Sequence, residues 1–278
     1  DSKWRFSIVP GTFQQSLDQT DDMKFDYIKE NFGLVGNWTD LKARVDLMNN
    51  EASDNEFYKV FFLARHGQGY HNLAHETYGN DAWNDYWSKL NGDGKIVWGP
   101  DPELTDLGID QAKGNNKDWK EQIEKGAILP TKFYVSPLSR SIDTMLYTWQ
   151  DIVDISKEAP LIKENIRETT GVHTCDKRLT KLVLEKKYGK LGLIFEEGFE
   201  EEDIYYDPEV RETVPHQAKR VFESFVEIFE STDRKDSFVS VTSHSGTIRA
   251  SLLALGHREF MIGTGGMIPV FVKAEKTE

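Results

Sequence analysis

The chain has a single cysteine, Cys175, in 278 residues. No intramolecular disulfide can form, which fits a reducing cytosolic or nuclear compartment better than a secreted one. No stretch approaches the ~20 consecutive apolar residues that a membrane helix needs. The first residues, Asp1 to Phe6, hold no signal-peptide hydrophobic region, and a leader removed before Asp1 would leave no trace. Internal repeats and low-complexity segments are missing too. Positive charge is in deficit: 34 Lys and Arg against 47 Asp and Glu give a net charge of −13. An acidic chain is a poor non-specific binder of nucleic acid or anionic membranes, so neither is expected as a partner. A local basic pocket would still admit an anionic substrate. The sequence carries no signal for oligomeric state.

What is present suffices for a sizeable core, with 38% hydrophobic and 12% aromatic residues. The run Tyr58-Lys59-Val60-Phe61-Phe62-Leu63-Ala64 is short, aromatic and closed by Arg65-His66-Gly67. It is predicted to be a buried strand that delivers a cation and an imidazole to the carboxyl edge of a sheet. Further strands are predicted at Phe133–Val135, Phe238–Thr242 and Met267–Val272. Between them the amphipathic pattern predicts helices after Ser136-Pro137, over 178–188, over 216–230 and after His244. For the first, Ser136 is the expected N-cap and Pro137 the first helical residue. Alternation of this kind gives an α/β fold with helices on both faces of the sheet. Residues 1–57 are expected to form an N-terminal extension packed on a domain of residues 58–278. Residues 79–103 interrupt the alternation with turn formers and Trp83, Trp87 and Trp98. They suit either a flap over the site or a surface insertion anchored by its tryptophans.

Three strand-to-helix turns carry the chemistry. The first holds Arg65, His66 and, six residues on, Asn72; the second holds Arg140; the third holds His244. Right-handed crossovers put all three on one sheet edge. Guanidiniums, imidazoles and helix N-termini gathered there suit a phosphate. Two other readings compete. His71 and His75, four apart, could ligate a metal in a metallohydrolase, although no third ligand is suitably spaced. A non-catalytic phosphate-binding module is the other. No metal or cofactor is expected. Taken alone, Asn72 suits a helix cap as well as it suits substrate, Cys175 suits a small buried apolar residue, and the acidic run Glu196–Asp203 suits a solvated loop.

Four blocks occur in order: Arg65-His66-Gly67 with Asn72, Leu104-Thr105-Asp106-Leu107-Gly108, Ser136-Pro137-Leu138-Ser139-Arg140-Ser141-Ile142-Asp143-Thr144, and Thr242-Ser243-His244-Ser245-Gly246. Over about residues 58–273 they resemble the histidine phosphatase superfamily, nearest to its phosphoglycerate-mutase-like branch and a fungal and plant subgroup. The resemblance implies a three-layer α/β/α fold with a mostly parallel central sheet. It implies that His66 attacks phosphorus and becomes phosphohistidine, that Arg65, Arg140 and His244 hold the phosphoryl oxygens, and that Asn72 contacts the phosphate. It also puts an acid in the loop after Pro160-Leu161-Ile162. Glu168 is the choice there and Glu164 the competitor, because that group must give a proton in one step and take one in the next. His173 and Arg178 are candidate contacts to the rest of the substrate, and the acidic run is a candidate border of the pocket. The expected activity is metal-independent hydrolysis of a phosphomonoester of a small metabolite, with a phosphomutase of the same chemistry as the alternative.

Overall fold

The structure, a computed structural model, describes residues 3–278, so Asp1 and Ser2 of the expected extension lie outside it. Its strands are β1 (Trp4–Ile8), β2 (Glu56–Arg65), β3 (Lys132–Val135), β4 (Leu161–Ile162), β5 (Ile194–Phe195), β6 (Phe238–Ser243) and β7 (Met267–Lys276). They form one sheet in the order β1-β7-β2-β6-β3-β4-β5. Strands β2, β6, β3, β4 and β5 run parallel, while β7 is antiparallel to both β1 and β2. The helices are α1 (Trp38–Glu51), α2 (Tyr70–Tyr78), α3 (Asn80–Asp85), α4 (Asp106–Glu124), α5 (Ser139–Trp149), α6 (Ile155–Glu158), α7 (Lys181–Tyr188), α8 (Val214–Ser231) and α9 (Ser245–Leu255).

The apolar run in β2 explains the three layers. Successive strand side chains point to opposite faces. Val60 and Phe62 enter a core with Trp38 of α1, Trp119 of α4 and Trp149 of α5. Phe61 and Leu63 enter a second core with Phe225 and Phe229 of α8 and Ile248 of α9. A strand buried on both faces needs no polar alternation, and this one has none between Val60 and Leu63.

The first 57 residues do more than cover the domain. β1 closes the sheet edge, and its Trp4 and Phe6 rings pack on Phe229. Phe13, Phe32 and Trp38 are 1–2% exposed within the first core. Residues 79–103 fold around a small core that they share with α2 and Cys175. Trp83 and Trp98 are buried there against Ala74 and Cys175. Both predicted properties of Cys175 hold: it is unpaired and buried.

Candidate active site

Parallel pairing lines up three strand ends. Arg65 lies opposite Ser243, and Val135 lies opposite Thr242. The next residues continue the ladder: the His66 amide donates to the Ser243 carbonyl (3.1 Å) and the Ser136 amide to the Thr242 carbonyl (3.1 Å). The three turns therefore sit side by side, as the crossovers require. The Leu104–Gly108 block fixes the first of them. Thr105 donates from its amide to the Gln68 carbonyl (2.9 Å) and from Oγ1 to Gln68 Oε1 (2.7 Å). A Cβ on Gly67 would come within 2.3 Å of the Gly108 carbonyl oxygen, so two backbones meet where only glycine fits. Thr144 Oγ1 accepts from the Gly67 amide (2.9 Å).

Three imidazoles meet at this edge. The His66 ring centroid is 5.1 Å from that of His244 and 5.6 Å from that of His71. His66 Nδ1 lies 2.6 Å from the Gly67 carbonyl. A carbonyl only accepts, so Nδ1 carries the proton and Nε2 keeps its lone pair. Among the described residues Nε2 has no hydrogen-bond partner. His244 Nε2 lies 2.8 Å from Ser136 Oγ, and that hydroxyl already accepts from the Leu138 amide (3.3 Å). His244 Nε2 also lies 3.2 Å from Ser141 Oγ, so this nitrogen sits between two hydroxyls. Burial, and next the charge of Arg140, hold all three rings well below the ordinary histidine value of 6.5. They are neutral at physiological pH.

Two guanidiniums flank the rings. Arg65 donates from Nη1 to the Ile262 carbonyl (2.9 Å). Burial depresses its pKa; Glu168 opposes this and Arg140 adds to it. Arg140, 0% exposed, donates to the Cys175 carbonyl (2.7 Å) and to Asp176 Oδ1 (2.8 Å). Nine buried side-chain nitrogen and oxygen atoms have no hydrogen-bond partner among the described residues. Four of them are Arg65 Nε, Arg140 Nε, His71 Nδ1 and His244 Nδ1. Orphaned buried polar atoms are costly and rare, and here four belong to side chains of one cluster at the sheet edge.

Glu168 comes from the chain that follows β4. Its Oε2 accepts from the Gly246 amide at the start of α9 (3.3 Å), and its Oε1 accepts from the Thr169 amide (2.9 Å). A Cβ on Gly246 would lie 2.3 Å from Glu168 Oε1, so the glycine makes this approach possible. Glu168 and Arg65 share the wall of a cavity of about 660 Å³.

Other expectations meet corrections. Ser136-Pro137 does not start the helix: α5 begins at Ser139, with Leu138 at the cap. Ser136 Oγ is turned to His244, and Asp101 caps instead, accepting from the Ser139 amide (2.8 Å) and hydroxyl (2.7 Å). Asn72 Oδ1 accepts from the Gly69 amide (2.9 Å), which is the capping role. Its Nδ2 makes no hydrogen bond among the described residues. Arg178 is neither a solvated helix residue nor placed to contact substrate. It is buried, held by both Glu164 oxygens (2.9 and 3.0 Å) and by the carbonyls of Leu179, Glu200, Glu201 and Glu202. Glu164 is accordingly an internal counter-charge, not a proton donor. The acidic run wraps this pair, and its Asp203 is bound bidentately by Arg167 (2.8 and 2.6 Å).

The ring of His173 stands edge-on to Trp83 at 6.3 Å; the ligand atoms of His173, Cys175 and Asp176 lie within 4.8 Å of one another. Both Asp176 oxygens are already paired, Oδ1 with Arg140 and Oδ2 with Arg211 (2.9 Å). His71 and His75 do not converge: His75 stacks on Trp83 and bonds Asn80 (3.1 Å), whereas His71 faces His66. His71, Asp176 and Arg211 are the site residues that motif reading missed. The i, i+4 spacing pointed His71 toward His75, and the ion pairs of Asp176 span 35 and 36 residues.

Residues 61–261 match the family described as histidine phosphatase superfamily (branch 1). A relative from Arthroderma benhamiae, named probable phosphoglycerate mutase, is 40% identical across 97% of this chain and 84% of its own. That coverage takes in most of the first 57 residues, which the motif resemblance left out. The Saccharomyces cerevisiae probable phosphoglycerate mutase PMU1 is 32% identical across 96% of this chain and 93% of its own. Among solved structures, a mycobacterial glucosyl-3-phosphoglycerate phosphatase is 20% identical across 76% of this chain and 90% of its own, with a TM-score of 0.43. No helix of the described residues is long and apolar enough to cross a membrane.

Proposed function

The chain belongs to the histidine phosphatase superfamily, a family of phosphoryl-transfer enzymes, and from that premise we propose that it hydrolyses a phosphomonoester of a small metabolite through phosphohistidine on His66. The observation that carries this reading is that Arg65, Arg140, His71 and His244, each with an orphaned buried nitrogen, belong to the same cluster as His66, whose Nε2 is free. Arg65 Nε and Arg140 Nε can only donate. Such donors match the phosphoryl oxygens on which transition-state charge spreads.

In the first step His66 Nε2 forms a bond to phosphorus while the bond from phosphorus to the ester oxygen breaks. Glu168, protonated at this stage, gives its proton to the leaving alkoxide. In the second step water attacks phosphorus, Glu168 takes the water's proton, the bond from phosphorus to nitrogen breaks, and inorganic phosphate leaves. Asn72 Nδ2 adds a donor at the phosphate, while His173 stays a candidate for the rest of the substrate.

The names of the fungal relatives favour a second reading, a phosphoglycerate mutase, in which the phosphohistidine returns its phosphoryl group to an alcohol instead of water. Phosphate release from an aryl phosphate is the test, wild type against His66→Ala. A rate that collapses in the variant supports the reading, and equal rates remove it. Transfer between the hydroxyls of phosphoglycerate without phosphate release would establish the mutase.

A further inference from the structure

The cavity that begins at Arg65 and Glu168 continues well beyond what a phosphate needs. It runs between the start of α8, the outer face of α9 and residues 257–262. At about 660 Å³ it lies in the middle of the range that holds drug-sized ligands, roughly 300–1,000 Å³. Its wall is mainly apolar, with Val214, Ala218, Ile248, Leu253, Phe260 and Met261 among its residues. Three of these stand in water: Val214 is 57% exposed, Leu253 67% and Met261 69%. Arg211, Arg249 and Glu259 supply charge in the wall, with Arg249 exposed and Arg211 tied to Asp176 and to the carbonyls of Thr169 and Gly171.

In an in-line displacement the leaving oxygen departs on the side opposite the nucleophile. The proton donor must stand there, so the cavity on the Glu168 side is where the alcohol part of the ester lies. One buried polar group among the lining residues is unspent. His257 is 8% exposed, its Nδ1 lies 2.7 Å from the Arg258 carbonyl, and its Nε2 has no partner among the described residues. Because Nδ1 faces an acceptor, Nε2 is the unprotonated nitrogen and wants a donor.

We propose that the substrate is the phosphomonoester of a bulky, mostly apolar alcohol that carries a second hydroxyl or N–H group reaching His257. This assignment rests on the phosphatase reading and names its substrate class. A three-carbon acid such as phosphoglycerate would leave most of the cavity unfilled.

The test is kcat/KM on a series of alkyl phosphates from ethyl to octyl, with p-nitrophenyl phosphate as reference. Wild type is expected to gain up to about fourfold per methylene until the cavity is full. Ala218→Trp, which narrows the cavity away from the chemistry, is expected to lose at least about tenfold on octyl phosphate and stay within about twofold on ethyl phosphate. Should that variant not fold, inhibition by the free alcohols decides, because octanol must bind more tightly than butanol. Among monophosphates of linear diols, at least one length should outrun the alkyl phosphate of equal length, and His257→Leu should erase that preference. A flat or falling series in an enzyme that turns over p-nitrophenyl phosphate overturns the cavity assignment and leaves the phosphatase reading standing. A preference that survives His257→Leu overturns the part given to His257. No release from any ester, p-nitrophenyl phosphate included, sinks the phosphatase reading and the cavity assignment together.

Discussion

Arg140 and Arg178 are both buried, at 0% and 3% exposure, yet they do opposite work. Around Arg178 the protein satisfies itself. Glu164 takes the Nε–H with both oxygens and four carbonyls take the rest. Around Arg140 it does not. Asp176 is shared with Arg211, Nε is left without an acceptor, and Arg65 nearby has no carboxylate within ion-pair distance among the described residues. A buried cation whose charge is met internally is a fastener, whereas one left short of acceptors is waiting for an anion. Motif reading could place Arg140 by its block but misjudged Arg178, because the difference lies in partners 14 to 24 residues away.

The largest effects should separate the two arginines. Arg140→Met is expected to lower kcat/KM about 10³-fold while moving the unfolding midpoint little, since Arg211 still neutralises Asp176. Arg178→Met is expected to cost about 3 kcal/mol of stability, read by urea unfolding, with kcat/KM of the folded enzyme within about twofold. If Arg178→Met lost activity and kept its stability, the contrast would collapse. Next in size, Glu168→Gln is expected to slow alkyl phosphates about 100-fold. p-Nitrophenyl phosphate should slow much less, because its leaving group departs without a proton. Equal losses on both would deny Glu168 the acid role.

His71 sharpens the contrast on the functional side. His71→Ala is expected to cost about tenfold in kcat/KM, the worth of one neutral hydrogen bond, with no change on adding or removing zinc. The smallest effect concerns pH. With folded values well below 6.5, His66, His71 and His244 bind fewer protons folded than unfolded. Their contribution to stability is therefore complete above about pH 6.5 and is lost as pH falls below it. The unfolding midpoint should drop between pH 7.5 and 5.5, and His71→Ala should flatten that slope. NMR titration of the ligand-free protein should find the His66 ring still neutral at pH 6, and a midpoint near 6.5 would contradict the buried site.

Much of this was legible in the chain. The apolar run before Arg65 and the recurring strand-turn-helix pattern gave the sheet edge, and the four ordered blocks named His66, Arg65, Arg140 and His244. What stayed hidden depended on tertiary partners. β1 is five residues at an edge, and only its pairing with β7 shows that it belongs to the sheet. Ser136 looked like a cap because a cap is judged locally, whereas its hydroxyl is spent on a histidine 108 residues away. The insertion with Trp83 and Trp98 builds a separate small core with Ala74 and Cys175, and its Asp101 supplies the cap that Ser136 does not.

The most direct test of phosphohistidine chemistry on His66 is a rapid-quench experiment with a ³²P-labelled phosphomonoester, followed by peptide mapping. The expected result is protein-bound label that survives alkali, is lost in acid, maps to His66 and is absent from His66→Ala. Turnover with no bound label at any quench time, or label on another residue, would contradict it.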